Sequence, residues 1–315
     1  MALKTELCDL LEIEKPIIQG GMAWVATGEL AAAVSSAGGL GIIGAGNAPA
    51  DVIEKEIEKV RDLTDKPFGL NIMLLSPFAD DIIELAIEKK VPVITTGAGN
   101  PGKHVKRFQE VGSKVIPVVP SVALARRMER LKVDAVIVEG TEAGGHIGEL
   151  TTMALVPQVV NAVEIPVIAA GGVADGRGLA AVLALGAKGA QIGTRFVCSE
   201  ECTASEDFKK AIVGARDRDA VVTGRSTGHP VRNLKNKLTK EIDRLEKEGA
   251  KPEEVEELGS GKLRDAVIDG DVDQGSVMAG QISGMISEIK SVREIVDEII
   301  EEAEAVIKNS HSLLK

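Results

Sequence analysis

The first two-thirds of the chain alternate between short apolar runs and longer amphipathic stretches. The runs are rich in Val and Ile and end in Gly, Pro or polar residues, whereas the stretches, such as 27–37 and 51–62, repeat apolar residues every three or four positions. Near-continuous apolar strands are typical of a parallel sheet that is buried on both faces. The pattern predicts eight strands, at 17–22, 40–46, 67–73, 91–98, 114–120, 134–140, 166–172 and 190–196.

Eight strand–helix units in about 200 residues favour an α/β fold, the (β/α)8 TIM barrel, with the helices in an outer ring. The alternative is a doubly wound open sheet, which has a Gly-x-Gly-x-x-Gly turn after its first strand. The pair Gly20-Gly21 after the first predicted strand lacks that spacing. We therefore predict a barrel over residues 1–200, a small helical inserted subdomain over 201–260, and a C-terminal segment, 261–315, that packs back onto the barrel.

Composition and charge exclude several classes of protein. The 315 residues contain 48 Asp and Glu against 37 Lys and Arg, a net charge of −11, whereas a nucleic-acid binder needs a basic face. No apolar run reaches the roughly 18–20 residues that span a bilayer, and residues 1–15 lack the apolar core of a secretion signal. Three cysteines cannot build a disulfide framework, and Cys198 and Cys202 lack the histidines of a zinc site. A cytoplasmic protein without a metal site is expected.

In a (β/α)8 barrel the active site lies at the C-terminal ends of the strands, so residues at those positions carry the candidate chemistry. Gly20 and Gly21 end the first strand, where the missing Cβ atoms either let a planar ligand approach the backbone or only permit a tight turn. Asn71 is an amide within an apolar run and needs a polar partner, which is either a ligand or a neighbouring loop.

The ends of the seventh and eighth strands predict a phosphate site. The sequences Ala169-Ala170-Gly171-Gly172-Val173 and Gln191-Ile192-Gly193-Thr194 place small residues where the next helices begin. Backbone N–H groups at helix N-termini attract phosphate, and barrels often build such a site from these two loops. Because no Gly-Lys-Ser/Thr motif and no Mg²⁺-ligand cluster is present, the phosphate is expected to belong to a bound cofactor.

His146 is the candidate catalytic residue. It follows Gly144-Gly145 and precedes Ile147-Gly148 at the end of the sixth strand. Its ordinary pKa allows imidazole to donate or accept a proton near neutral pH. His104 and His311 are instead expected to be surface residues in helical or terminal segments. A hydrolytic triad is disfavoured, because no serine follows a strand in a nucleophile-elbow sequence.

Four motifs together resemble the nitronate monooxygenase superfamily of FMN-binding barrels: 20–23, 142–146, 169–176 and 191–196. Within it, the sequence is most similar to the FMN-dependent enoyl-[acyl-carrier-protein] reductases of type II. The residues that carry this narrower likeness are Gly20–Val25, His146–Gly148 with 150–153, Gly228–Arg232, and 270–281. Pro230 departs from the pattern, where some members have alanine.

The resemblance implies reduction of trans-2-enoyl thioesters on an acyl carrier protein. NADH, or alternatively NADPH, would reduce FMN, which would pass hydride to the β-carbon, while His146 protonates the α-carbon or stabilises the enolate. A homodimer is implied, and a monovalent cation is a further candidate cofactor. The residues implied to bind FMN are Gly21, Met22, Ala23, Asn71, Glu139, Gly145, Gly171, Gly172, Val173, Gly193, Thr194 and Gln281.

The residues also leave two other functions open. A nitronate monooxygenase would use a histidine at the same position as a base, and a flavin-binding barrel without catalysis is the third interpretation.

Residues 207–240 carry nine Lys and Arg against three Asp, and residues 241–257 carry eight acids against three bases. The basic run either docks the acidic carrier protein or pairs with the acidic run that follows it.

Overall fold

Eight parallel strands form the centre of the molecule, as the hydrophobic pattern predicts. The structure is a computed structural model that describes residues 3–310 and residue 312, so His311 lies outside the described residues. In sheet order the strands are β1, β9, β8, β6, β5, β4, β3 and β2, and a bridge between Ile18 and Leu40 joins β1 to β2. The barrel is thereby closed. The barrel strands are β1 (Ile17–Gln19), β2 (Gly41–Gly44), β3 (Phe68–Met73), β4 (Val93–Gly97), β5 (Lys114–Val119), β6 (Val136–Glu139), β8 (Val167–Ala170) and β9 (Gly189–Ile192).

The last predicted strand is shorter than the sequence pattern indicates. It ends at Ile192, and Thr194–Val197 forms a short helix instead. The N–H groups of Phe196 and Val197 both donate to the carbonyl oxygen of Gly193, which bends the chain into this turn. The prediction of a strand to residue 196 is wrong because Phe196 and Val197 are also fully buried, and burial makes an apolar turn look like a strand.

Amphipathic helices surround the barrel. Each turns its apolar residues inward, as α3 does with Ile53, Ile57 and Val60. The long C-terminal helix packs on α8, and it approaches Gly176 so closely that a Cβ there would lie 2.3 Å from the backbone nitrogen of Ala303. The helices are α1 (Glu6–Leu11), α2 (Gly28–Ser36), α3 (Ala50–Leu63), α4 (Ala79–Glu88), α5 (Val105–Glu110), α6 (Val122–Arg130), α7 (Thr152–Val160), α8 (Gly176–Ala184), α9 (Thr194–Val197) and α14 (Val292–Ser310).

The segment after the eighth barrel strand contains a small sheet as well as the predicted helices. Two strands, β10 (Ala220–Thr223) and β11 (Val231–Leu234), pair antiparallel, and β11 also pairs with the two-residue strand β7 (Gly145–His146). Such short strands within a strongly charged region give little periodic signal, so the sequence pattern predicts only helices in this segment. The helices here are α10 (Glu206–Val213), α11 (Lys237–Glu248), α12 (Pro252–Gly259) and α13 (Lys262–Val267).

Side chains of α1 fill the N-terminal end of the barrel, and the C-terminal end is open. Leu7 and Leu11 of α1 share a buried cluster with the barrel-interior residues Ile18, Ile42 and Ile168. This plug lies at the N-terminal end of the strands, so the C-terminal end remains the open mouth.

Among the described helices, none is long and apolar enough to cross a bilayer. The three cysteines are all free and buried.

Candidate functional site

The loops that follow β8 and β9 present backbone N–H groups without protein partners. Gly171 and Gly172 both have positive φ, +85° and +76°, a conformation that glycine adopts at little cost. Across residues 3–310, no protein acceptor receives a hydrogen bond from the N–H of Gly172, Val173, Gly193 or Thr194. We call these four groups the N–H cradle. Unpaired N–H groups next to the start of a helix are the donors that bind an anion.

The loop after β1 and the end of β3 form an adjoining wall of the mouth. A Cβ placed on Gly21 would lie 2.2 Å from the Cβ of Asn71, so the two residues are in direct contact. The amide nitrogen of Asn71 donates to Thr95 Oγ1 at 2.9 Å. The sulfur of Met22 lies 3.4 Å from the Cβ position of Gly193, which connects this wall to the N–H cradle.

His146 is held at the mouth by the small sheet rather than by the barrel. It pairs with Val231 of β11, and the next N–H, of Ile147, donates to the carbonyl oxygen of Pro230 at 3.1 Å. Its side chain is exposed. Partial desolvation of the ring, and then the charge of nearby His229, lower the pKa of His146 below its ordinary value. The shift favours the neutral form of the imidazole.

His104 differs from His146 in its surroundings. It precedes α5 and is half-buried rather than at the surface, and its Nδ1 atom has no hydrogen-bond partner among the described residues.

Glu139 is the last residue of β6 and so carries a carboxyl group at the C-terminal end of a barrel strand. It lies beside Ala170 in the strand register and is half-buried. Burial raises the pKa of Glu139 to about 7, because the ionised carboxylate loses hydration. A carboxyl group that is partly protonated at neutral pH can serve as both hydrogen-bond donor and acceptor for a ligand.

A buried network that sequence reasoning did not assign lies behind the cradle. The carboxylate of Glu142 accepts hydrogen bonds from the backbone N–H of Thr152 at 2.9 and 3.0 Å and lies 3.0 Å from its hydroxyl oxygen. The hydroxyl oxygen also lies 2.9 Å from the carbonyl oxygen of Gly171. Because α7 begins at Thr152 and its preceding residue makes no side-chain cap, Glu142 caps this helix from a distant loop.

Arg232 connects the inserted segment to the same loop. Its guanidinium is buried, with 5% of the residue exposed, and it donates twice to the carbonyl oxygen of Thr141, at 2.9 and 3.2 Å. A single arginine in a basic run has no sequence signal that distinguishes it from solvated neighbours. Glu142 was part of a recognised motif, but its partner Thr152 is ten residues away.

The C-terminal segment completes the site through its backbone. The N–H of Gln281 donates to the carbonyl oxygen of Glu142 at 2.9 Å, while its side chain is exposed. The N–H of Gly280 donates to the hydroxyl of Thr194 at 2.9 Å. The structure thus brings the candidate residues together at one mouth. Val173 is buried there, and Gly145 is buried with its Cβ position 3.5 Å from the sulfur of Met278. Ala23 lies on the loop after β1, with its Cβ 2.7 Å from the Cβ position of Gly46.

The basic run does not form one continuous surface. Lys209 and Arg232 are buried, and Lys237 pairs with Asp273 at 2.6 Å. Lys235 and Lys240 are exposed, and no carboxylate of the described residues lies within 4 Å of either ammonium group. In the acidic run that follows, three of the eight acids pair with its own bases: Arg244 contacts Glu241 and Glu248, and Lys247 contacts Asp243.

Comparison with known proteins places this geometry in a family. The sequence pattern described as Nitronate monooxygenase matches residues 4–302. A probable nitronate monooxygenase of Staphylococcus saprophyticus is 34% identical over 98% of this chain and 99% of its own length. The (3aS,4S,5R,7aS)-5-hydroxy-7a-methyl-1-oxo-octahydro-1H-indene-4-carboxyl-CoA dehydrogenase of Mycobacterium tuberculosis is 32% identical, with 100% of both chains covered.

Two solved structures share the fold over nearly the whole chain. FabK from Thermotoga maritima has a TM-score of 0.96 and 52% identity, covering 99% of this chain and 100% of that one. Nitroalkane oxidase from Streptomyces ansochromogenes has a TM-score of 0.86 and 30% identity, covering 97% and 100%. Since the family pattern spans almost every element of the barrel and the C-terminal segment, this chain belongs to the nitronate monooxygenase family of flavin-dependent oxidoreductases.

Proposed function

We propose that the protein uses FMN and NADH, or alternatively NADPH, to reduce the carbon–carbon double bond of trans-2-enoyl thioesters carried by an acyl carrier protein. The observation that carries the proposal is the presence of the N–H cradle and an exposed histidine at the same mouth. The likeness to FabK favours an enoyl reductase, because its identity of 52% exceeds the 30–37% of the nitronate- and nitroalkane-oxidising relatives.

The residues at the mouth fit FMN. The four N–H groups of the cradle suit a phosphate dianion, and the missing Cβ of Gly21 leaves room for the side chain of Asn71, so that the loop after β1 and Asn71 form one wall beside the ring. Asn71 and Glu139 supply polar atoms for the edge of the ring. When bound, FMN would supply the hydride-transfer chemistry, and the protein would supply its position and electrostatic surroundings.

His146 has a role that follows from its charge state. Negative charge develops on the thioester oxygen when the β-carbon receives hydride, so a hydrogen-bond donor aimed at that oxygen lowers the barrier. A neutral imidazole N–H can provide this hydrogen bond, and its lowered pKa favours the neutral form at pH 7. We therefore propose that His146 stabilises the enolate oxygen and that the α-carbon takes its proton from solvent water at the open mouth.

Nitronate oxidation is the second candidate, because the same property of His146 also supports it. A neutral imidazole can accept the proton of a nitroalkane, and several curated relatives carry the name probable nitronate monooxygenase. The two functions differ in what oxidises the flavin: an enoyl thioester for the reductase, and O₂ for the monooxygenase.

Two reactions distinguish the candidates. Purified protein loaded with FMN is mixed with NADH under nitrogen and then with crotonyl thioester on an acyl carrier protein. The reductase predicts bleaching of flavin absorbance by NADH and its recovery on addition of the thioester. Turnover of propyl-nitronate in air, without bleaching by NADH or by NADPH, would instead support the monooxygenase. A protein that takes up no FMN would contradict both.

A further inference from the structure

We propose that the Thr152 hydroxyl is a positioning group that fixes the orientation of the peptide between Gly171 and Gly172. The hydroxyl oxygen of Thr152 lies 2.9 Å from the carbonyl oxygen of Gly171, and the side chain is buried, with 6% of the residue exposed. Both glycines have positive φ and lie at the start of the N–H cradle. The proposal rests on the proposed function only in taking FMN phosphate as the ligand of that cradle.

Because the peptide unit is planar, a contact that holds the Gly171 carbonyl also fixes the direction of the Gly172 N–H. The carbonyl of Gly171 and the N–H of Gly172 belong to one planar trans peptide, so they point in opposite directions. A hydroxyl that holds the carbonyl toward α7 therefore holds the N–H toward the cradle. Glycine accepts φ of either sign, so a Gly-Gly peptide can rotate at little steric cost and needs a partner to keep one orientation.

The surroundings of Thr152 explain why the hydroxyl can do this. The carboxylate of Glu142 accepts the Thr152 backbone N–H with both oxygens, which holds the first residue of α7 in place. Arg232 in turn holds the preceding residue, Thr141, through its carbonyl oxygen. The hydroxyl has one hydrogen and three acceptors within reach, the carbonyl oxygen of Gly171 at 2.9 Å, a carboxylate oxygen of Glu142 at 3.0 Å and the carbonyl oxygen of Ala170 at 3.2 Å. The Gly171 carbonyl is the nearest of the three.

Loss of the Thr152 hydroxyl should therefore weaken binding of the phosphate. Without the hydroxyl, the Gly171–Gly172 peptide loses its partner, and the Gly172 N–H spends less time directed at the phosphate. The isoalloxazine ring, which would contact the β1 and β3 side of the mouth, is not affected by this change. FMN and riboflavin, which differ only in the phosphate, therefore separate the proposed role from a general loss of structure.

The test measures dissociation constants for FMN and riboflavin by flavin fluorescence in wild type, Thr152→Val and Thr152→Ser. We expect Thr152→Val to weaken FMN about 3- to 10-fold, the usual effect of one hydrogen bond, and to leave riboflavin within about twofold. Thr152→Ser keeps the hydroxyl and should restore FMN affinity. Thr239→Val is the matched control, because Thr239 is also a buried threonine in the first turn of a helix but lies in α11.

The outcomes are separable. If Thr152→Val binds FMN like wild type, or weakens FMN and riboflavin equally, the positioning role is wrong. If Thr239→Val reproduces the selective loss of FMN affinity, the effect is one of helix stability, and the proposal also fails. If wild type itself binds FMN no more tightly than riboflavin, the phosphate cradle of the proposed function fails instead. Melting temperatures of all variants show whether each remains folded.

Discussion

Gly21 and Asn71 are packed so closely that a Cβ atom on the glycine would lie 2.2 Å from the Cβ of the asparagine. Real Cβ atoms do not approach a side chain to this distance, so only glycine fits at position 21 unless Asn71 moves. Asn71 is fixed from its other side by the hydrogen bond to Thr95 at 2.9 Å. This contact connects the loop after β1 to the end of β3 and sets the shape of one wall of the mouth.

The first prediction follows from this contact. Gly21→Ala should displace Asn71 and reduce the flavin content of the purified protein by at least about tenfold, since overpacking forces side chains from their positions. Gly20→Ala is the control, because its Cβ would lie 3.5 Å from the nearest atoms of Gln191, an ordinary contact. Absorbance of the flavin per protein gives the result. Equal flavin content in the two variants would show that the contact does not shape the site.

The second prediction concerns the N–H cradle. Gly172→Val places a branched side chain at a residue with φ of +76°, next to the proposed phosphate, and should abolish FMN retention. Gly249→Val is the control for backbone strain, because Gly249 has φ of +77° with open space around it at the end of α11. Flavin retention after gel filtration distinguishes the two. Normal flavin content in the Gly172→Val variant would show that the phosphate does not bind at this loop.

The third prediction concerns His146. His146→Ala should retain FMN and lower kcat for enoyl-thioester reduction by roughly 10²–10³-fold, the usual contribution of one hydrogen-bond donor to a transition-state oxyanion. His104→Ala is the control, because His104 precedes α5 and has no contact with β7 in the strand pairing. Stopped-flow absorbance under nitrogen measures the step. A variant that keeps nearly wild-type kcat would make His146 a structural residue of the small sheet.

The fourth prediction is a pH dependence caused by Glu139. Its folded-state pKa of about 7 lies above the ordinary carboxyl value of 4.5, so the folded protein binds the proton more tightly than the unfolded chain. Stability should therefore fall as pH rises from about 4.5 to 7, by up to about 3 kcal/mol.

Glu139→Gln should remove that part of the pH dependence and raise stability at pH 8 relative to wild type. Thermal unfolding of flavin-free protein between pH 5 and pH 8 measures the effect. If stability depends on pH in the same way in the two proteins, the pKa of Glu139 is not raised by folding.

The fifth prediction concerns the proposed carrier protein. Lys235→Glu combined with Lys240→Glu should raise KM for the carrier-bound enoyl thioester severalfold, because both cations are exposed and unpaired among the described residues and would steer an acidic partner. The coenzyme A thioester should be turned over as before. Lys55→Glu combined with Lys90→Glu, at two exposed lysines outside the inserted segment, is the control for the change in net charge. Equal effects on both substrates would reject docking at these lysines.

The alternation along the chain predicted the barrel because each strand is buried on both faces and therefore leaves a continuous apolar run. The same pattern located the strand ends, and with them Gly21, Asn71, Gly172 and His146, since the C-terminal ends of parallel strands meet at one mouth. Several strands are shorter than predicted, and β9 shows why: the apolar character of Phe196 and Val197 is visible in the sequence, but the turn at Gly193 that redirects them is not.

Contacts between distant parts of the chain were decided only by the tertiary structure. Arg232 reaches Thr141 across 91 positions, and the hydroxyl of Thr152 meets Gly171 across 19. Hydrogen bonds of this kind depend on where the fold places two polar groups, and no periodicity records them. The sequence by itself thus determined the barrel and the face that carries the chemistry. The arrangement of β7, β11 and α7 that holds His146 and the cradle came from packing, because only folding brings those segments together.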